Sequence, residues 1–160
     1  MTQGFTLEIK GLDKLMEMAE KYPLISEKHI NKAINRSLIK IQDNAKKNAP
    51  SGDTQQLRQN WVLKMGRFAG SLESGAKSRS KHYGQSIEYG LPSGHFIPVK
   101  NNPIFQLWAT RRGLNPYAVA KSIAKKGTKA QPFFGKSVDD AKMFADKEFG
   151  KALENIIKEI

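Results

Sequence analysis

Hydrophobic and polar positions alternate along the first residues of the chain. "FTLEIKG" sets Phe5, Leu7 and Ile9 against Thr6, Glu8 and Lys10, the period of two expected of a strand with one buried face. Beyond Gly11 the period changes. Leu12, Leu15, Met16, Ala19 and Tyr22 recur at helical spacing and predict a short amphipathic helix that Pro23 stops. From about residue 24 to 48, Ile30, Ala33, Ile34, Leu38, Ile41 and Ala45 form one apolar stripe, with lysines, arginines and His29 on the other side; Pro50 and "PSGDT" close this second helix. "LRQNWVLKM" is rich in strand formers, "RFA" between Gly66 and Gly70 predicts a turn, and "SLESGAKSRSKHYGQ" reads as a weak strand decaying into a basic loop before "SIEYG" resumes extended structure.

The second half is helical in its periodicity. Pro103 suits the first turn of "PIFQLWATRRG", with Ile104, Leu107 and Trp108 on one face; in "NPYAVAKSIAKKG", Asn115 is the expected N-cap, Pro116 the first helical residue, and Val119, Ala120 and Ile123 the inward face. Together they predict a helical hairpin inserted late in the sheet. Val138, Ala141, Ala145, Phe149, Ala152, Leu153, Ile156, Ile157 and Ile160 mark a long C-terminal helix, for which Ser137 is the expected cap and Asp139 and Asp140 suit the positive end of the dipole. Just before it, Pro132, Phe133 and Phe134 read as a structural hinge: Phe134 is in phase with Val138 and Ala141, and Phe133 points elsewhere, to an adjoining layer or a partner. The elements are long amphipathic helices toward both ends, a strand meander and a helical insertion between them. With 160 residues the chain makes one domain: 1–90 the helices and strand meander, 91–130 the basic helical insertion, 131–160 the last helix.

Charge sharpens this picture. The chain carries +12, and residues 77 to 129 hold ten Lys/Arg against one acid, Glu88, nine of those twelve net charges. Lys77, Arg79, Lys81, Arg111, Arg112, Lys125, Lys126 and Lys129 are the candidate residues for a polyanionic face, whether nucleic acid or an acidic protein. Tyr83, Tyr89, Phe96, Trp108 and Tyr117 lie in the same region, although Trp108 and Tyr117 belong to amphipathic segments where core packing outweighs base stacking. The absence of cysteine removes disulfides and thiolate metal sites. No apolar run is long enough to cross a bilayer, and "MTQGFTLEIKG" lacks the pattern of a secretory signal, so synthesis in the cytoplasm without membrane association is expected.

Candidate chemistry is sparse. His29, His82 and His95 have no partner at metal-ligand spacing, and Asp139 and Asp140, adjacent on a helix, diverge by about 100° and do not share a substrate. No nucleophile elbow, P-loop or dinucleotide fingerprint occurs. The sequence therefore predicts no catalytic residue, no cofactor and no metal. A hydrolase built on His82 or His95 with Asp53 has no supporting motif.

Several stretches resemble one family, the tail-completion or head-to-tail joining morphogenesis proteins of tailed bacteriophages and prophages. The resembling segments are "AKKNAPSGDTQQLRQNW", "SIEYG", the proline-bounded insertion from "PIFQLW" onward and, most specific, "AVAKSIAKKGTKAQPFF". Gln55, where glycine is usual, and Leu91, where threonine is frequent, depart from the pattern. The resemblance implies an α+β fold in which an antiparallel sheet is packed by long N-terminal and C-terminal helices, and a non-enzymatic structural protein of the insertion-bearing branch, assembled as a homo-oligomeric ring, six-fold by expectation, at the tail top or neck. It also implies other tail and neck proteins as partners, and a location in the virion after assembly in the host cytoplasm. Nonspecific contact with phage DNA fits the basic insertion, and the alternative is a free, sequence-nonspecific nucleic-acid-binding domain.

Overall fold

A computed structural model of the chain describes residues 9–50, 56–75, 77–78, 81–82 and 84–160, with residues 77–78 and 81–82 described through their backbone. The elements in chain order are α1 (Leu12–Lys21), α2 (Pro23–Asn48), α3 (Gln56–Gln59), β1 (Trp61–Gly66), β2 (Ala69–Ser74), β3 (Lys77–Ser78), β4 (Lys81–His82), α4 (Gly84–Tyr89), a 3-10 turn (Val99–Asn101), α5 (Pro103–Arg111), α6 (Pro116–Lys126) and α7 (Phe133–Glu159). The class is α+β, as expected. The strand anticipated at residues 5–10 lies, up to residue 8, outside the described residues.

The body is built on the pairing of α2 with α7. These are 26 and 27 residues long, each about 40 Å at 1.5 Å per residue. They run antiparallel: His29 meets Glu159, Arg36 meets Glu148, and Asn48 meets Ser137. One apolar cluster joins Leu15, Ile30, Ala33, Phe149, Ala152 and Ile156, and a second joins Ile41, Val138 and Ala141. Alanines at the contact positions (Ala33, Ala45, Ala141, Ala145) are at most 3 % exposed, and the small side chains let the two helices approach closely. Pro23 does more than stop α1. It opens α2 at the first helical position, where its missing N–H costs nothing.

The β1–β2 hairpin lies across α2, paired from Trp61↔Ser74 to Gly66↔Ala69. A side chain at Gly70 would run into Leu38 and Ile34, so the absence of a Cβ lets β2 sit directly on the helix. At the tip Phe68 holds φ at 53°, and its N–H donates to Asn31 Oδ1 at 2.9 Å. The described strands thus make two separate two-stranded pieces, β1–β2 and β3–β4.

Four local expectations are corrected. Residues 57–59 of the anticipated strand belong to the turn of α3, because Leu57 is drawn into a cluster with Ala49 and Phe133. "SIEYG" is the helical α4 rather than a strand, a winding that places Ile87 against that cluster while Glu88 faces the start of α7. His29 is buried instead of lying on a polar face, its Nε2 2.8 Å from Glu159 Oε1. Ser137 does not cap the last helix. The helix begins a turn earlier, and the Ser137 hydroxyl donates back to the Phe133 carbonyl at 2.6 Å.

Candidate functional site: the basic arm and its neck

Residues 91–130 leave and rejoin the body at one point. Leu91 and Thr128 form an antiparallel bridge, the Thr128 N–H donating to the Leu91 carbonyl at 2.9 Å; Gln131 N–H donates to the Ile87 carbonyl at 2.8 Å, and Gly94 N–H to the Ala124 carbonyl at 2.7 Å. Gly90 and Gly127, with φ of 74° and 73°, sit on the two crossing segments. A Cβ on Gly90 would stand 2.4 Å from the Thr128 carbonyl oxygen, and one on Gly127 2.2 Å from that of Leu91. Two backbones can pass this closely only where both lack side chains.

The neck is fastened to the start of α7 by a carboxylate from 46 residues upstream. Glu88, 5 % exposed, accepts from the Phe134 N–H through Oε2 at 2.8 Å and from the Gly135 N–H through Oε1 at 2.9 Å. The residue preceding the helix is Pro132, which has no side-chain acceptor of its own. The negative group therefore arrives from α4, where it satisfies two orphan donors and faces the positive end of the dipole. Phe133 is buried with Ala49 and Leu57; Phe134 packs toward Ile41 and Val138 and stacks on Trp61 with centroids 5.5 Å apart. The candidate hinge residues thus lie where α4, the neck and α7 meet.

Beyond the neck, the 3-10 turn, α5 and α6 pack mainly on one another. Asn102 and Asn115 cap the two helices through their side-chain oxygens, each followed by proline at the first helical position. Val99, Ala109 and Ala120 are buried, Phe105 stacks on Trp108 at 5.7 Å, and Arg112 lies over the Trp108 ring at 4.9 Å. The inward face of α5 is therefore Phe105, Trp108 and Ala109. Ile104 and Leu107, expected inside, are exposed, because a nine-residue helix covering so small a core turns only part of its apolar surface inward.

Residues 91–130 contain seven Lys/Arg and no Asp or Glu. Arg111 and Arg112 stand at the α5–α6 turn; Lys125, Lys126 and Lys129 stand near the neck, with Lys121 between. The eleven residues of α6 separate these groups by about 16 Å, so the candidate cations form a strip along the arm rather than a single cluster. Lys77 and Lys81 lie on the β3–β4 pair, and Arg79 lies outside the described residues. Phe96, Ile104, Leu107, Leu114 and Tyr117 are exposed alongside these charges.

Elsewhere, Lys151 and Arg36 hold the Glu148 carboxyl below its ordinary value, and Lys28 with His29 does the same for Glu159. An apolar cavity of about 1340 Å³ opens between α1, α2, α7 and β2, lined by Leu12, Met16, Ile34, Leu38, Phe68 and Leu72 among others. Among the described residues no group of three His, Asp or Glu is placed to hold a metal, and no helix is long and apolar enough to cross a membrane. His95 is exposed; Asp53 and the side chain of His82 lie outside what is described. Sequence reasoning missed Glu88, Gly90 and Gly127, whose roles depend on contacts between distant segments. Comparison with known proteins finds no matching family model, curated protein or solved structure.

Proposed function

We propose that this chain is a non-enzymatic assembly protein of a tailed phage or prophage particle, completing the tail or joining it to the head as a ring, with six-fold symmetry expected. One observation supports this reading above others. The stretch "AVAKSIAKKGTKAQPFF", which carries the resemblance, builds a mount: Ile123 packs half-buried in the arm, Gly127 makes the close crossing, and Pro132 to Phe134 start the body's long helix. Residues serving as a mount for a basic arm suit a protein that fits against neighbours. In the particle, the arm meets an acidic protein surface or passing DNA.

The test is deletion of the gene in the phage or prophage that carries it, followed by electron microscopy of the products. Unjoined heads and incomplete tails, rescued by the wild-type gene, are expected; normal infectious particles would refute the assignment. The second reading, a free nucleic-acid-binding domain, is favoured by the acid-free arm alone. It requires the monomer to bind duplex DNA with an affinity that falls steeply with salt.

A further inference from the structure

We infer that the arm of one copy docks on the exposed face of α1 of a second copy, at the mouth of the apolar cavity lined by Leu12, Met16 and Glu20, making a head-to-tail contact between subunits. The inference rests on the ring assembly proposed above and names the surfaces that would form it. On α1, Leu12, Met16 and Glu20 recur at intervals of four, and Asp13 and Glu17 lie one position on; at 100° per residue these five share an arc of about 140°. All five are exposed, Leu12 at 45 % and Met16 at 58 %. The face is apolar along one edge and acidic along the other, where Glu17 is paired with Lys21 at 2.7 Å and Asp13 and Glu20 supply the charge.

The arm offers the complement. On α6, Tyr117, Lys121 and Lys125 follow the same interval and are all exposed, Tyr117 at 57 %, on a segment without a carboxylate. Lysine set beside tyrosine fits a surface with leucine and methionine along one edge and carboxylates along the other. Duplex DNA would use the cations but leave the exposed aliphatic side chains of the arm without contacts, because phosphate contacts need charge alone.

The two faces belong to opposite ends of the molecule. The arm springs from the beginning of α7 at Phe134, whereas α1 packs through Leu15 against Phe149, Ala152 and Ile156. That is about 22–33 Å further along the helix axis, beyond the length of α6 at about 16 Å. Complementary patches at opposite ends make a heterologous contact, which closes into a ring when the rotation between copies divides a full turn.

The experiment uses the full-length chain in two charge-reversed forms, Lys121→Glu/Lys125→Glu and Asp13→Lys/Glu20→Lys, each checked for an unchanged circular dichroism spectrum. Sedimentation is followed to about 1 mM, the range of weak association. Each variant alone should self-associate at least about tenfold more weakly than wild type. An equimolar mixture should recover assembly, because each arm then finds a face of opposite charge on the other species. A mixture no better than its components, variants that assemble like wild type, or a wild-type chain that stays monomeric would each overturn the contact. Loss of duplex DNA binding by the arm variant with self-association intact would overturn it in favour of DNA. Since the chain has no cysteine, Met16→Cys/Tyr117→Cys provides a second measurement. Oxidation should yield a ladder of disulfide-linked oligomers from the double variant and none from either single one; no ladder counts against the contact. The gene-deletion phenotype does not depend on these outcomes, so the contact can fail while the assembly role stands.

Discussion

Replacing Glu88 tests whether a carboxylate from α4 fixes the start of α7. In Glu88→Ala two backbone donors, Phe134 N–H and Gly135 N–H, lose acceptors at 2.8 and 2.9 Å in a place that is nearly closed to water. A hydrogen bond to a charged group is worth roughly 1.5–3 kcal/mol and an N-cap replacement about 0.5–2 kcal/mol. The two bonds share one carboxylate, whose own desolvation cost disappears with it, so they do not add in full. We expect a loss of about 2–4 kcal/mol, the upper part reflecting the donors left unsatisfied. Glu88→Gln retains one acceptor but turns an amide NH2 toward the other N–H, and should lose about half as much. Glu88→Asp, a methylene shorter, should behave more like alanine than glutamine. Urea unfolding followed by far-ultraviolet circular dichroism measures this, with an unchanged m value as the control for two-state behaviour. In melting temperature the alanine variant should fall by roughly 4–16 °C, given about 2–4 °C per kcal/mol in a domain of this size. Hydrogen exchange supplies the local reading: amides 134 and 135 should lose protection more than those in the middle of α7. A change below about 0.5 kcal/mol, within the ordinary range for surface substitutions, with both amides still protected, would refute the reasoning.

Ser37 is buried and its hydroxyl has no hydrogen-bond partner among the described residues; Ser37→Ala should be neutral or stabilise by up to about 1 kcal/mol in the same urea assay, since it removes an unsatisfied group and raises helix propensity. Gly127→Ala would place its Cβ 2.2 Å from a backbone oxygen at positive φ, so it should cost at least about 2 kcal/mol or displace the arm, visible as lost exchange protection at Thr128. Lys151 and Arg36 depress the Glu148 carboxyl, whose ordinary value is 4.5. The folded state therefore holds that proton less tightly than the unfolded chain, so the stabilisation is complete above the unfolded value and is lost as pH falls through the folded one. Glu148→Gln should accordingly differ most from wild type near neutrality and converge with it in acid; a gap in melting temperature that stays constant from pH 7 to about 3 would contradict this.

Helices α1, α2, α5, α6 and α7 were legible because each declares itself locally. Asn115 followed by Pro116 marks the opening of α6, and the recurrence of Val138, Ala141, Ala145, Phe149, Ala152 and Ile156 follows the face that α7 buries. Phe134 reaches the Ile41, Val138 and Ala141 cluster that its phase suggests, and also packs against the cluster that buries Phe133. What failed depends on partners far away in sequence. "SIEYG" has too few residues to separate a period of two from one of 3.6, and the cluster that receives Ile87 is assembled from Ala49, Leu57 and Phe133. No local feature tells that Glu88 caps a helix 46 residues later, so Ser137, the nearest capping side chain, was the natural choice. The burial of His29 likewise depends on Glu159, 130 positions on. For the candidate surface, composition identified the basic stretch but not its shape. Which of Ile104, Phe105, Leu107 and Trp108 face outward is decided by the contact between α5 and α6.

Where Leu91 and Thr128 meet, the ends of a 40-residue excursion already hold each other by hydrogen bonds. Everything beyond that point behaves as a cassette: a two-residue turn can in principle replace it without moving either flank. Excision should leave the α2–α7 pair folded, and lineages can lengthen, shorten or exchange the cassette while the rest of the chain stays under separate selection. Recognition and scaffold can then change at different rates within a single polypeptide.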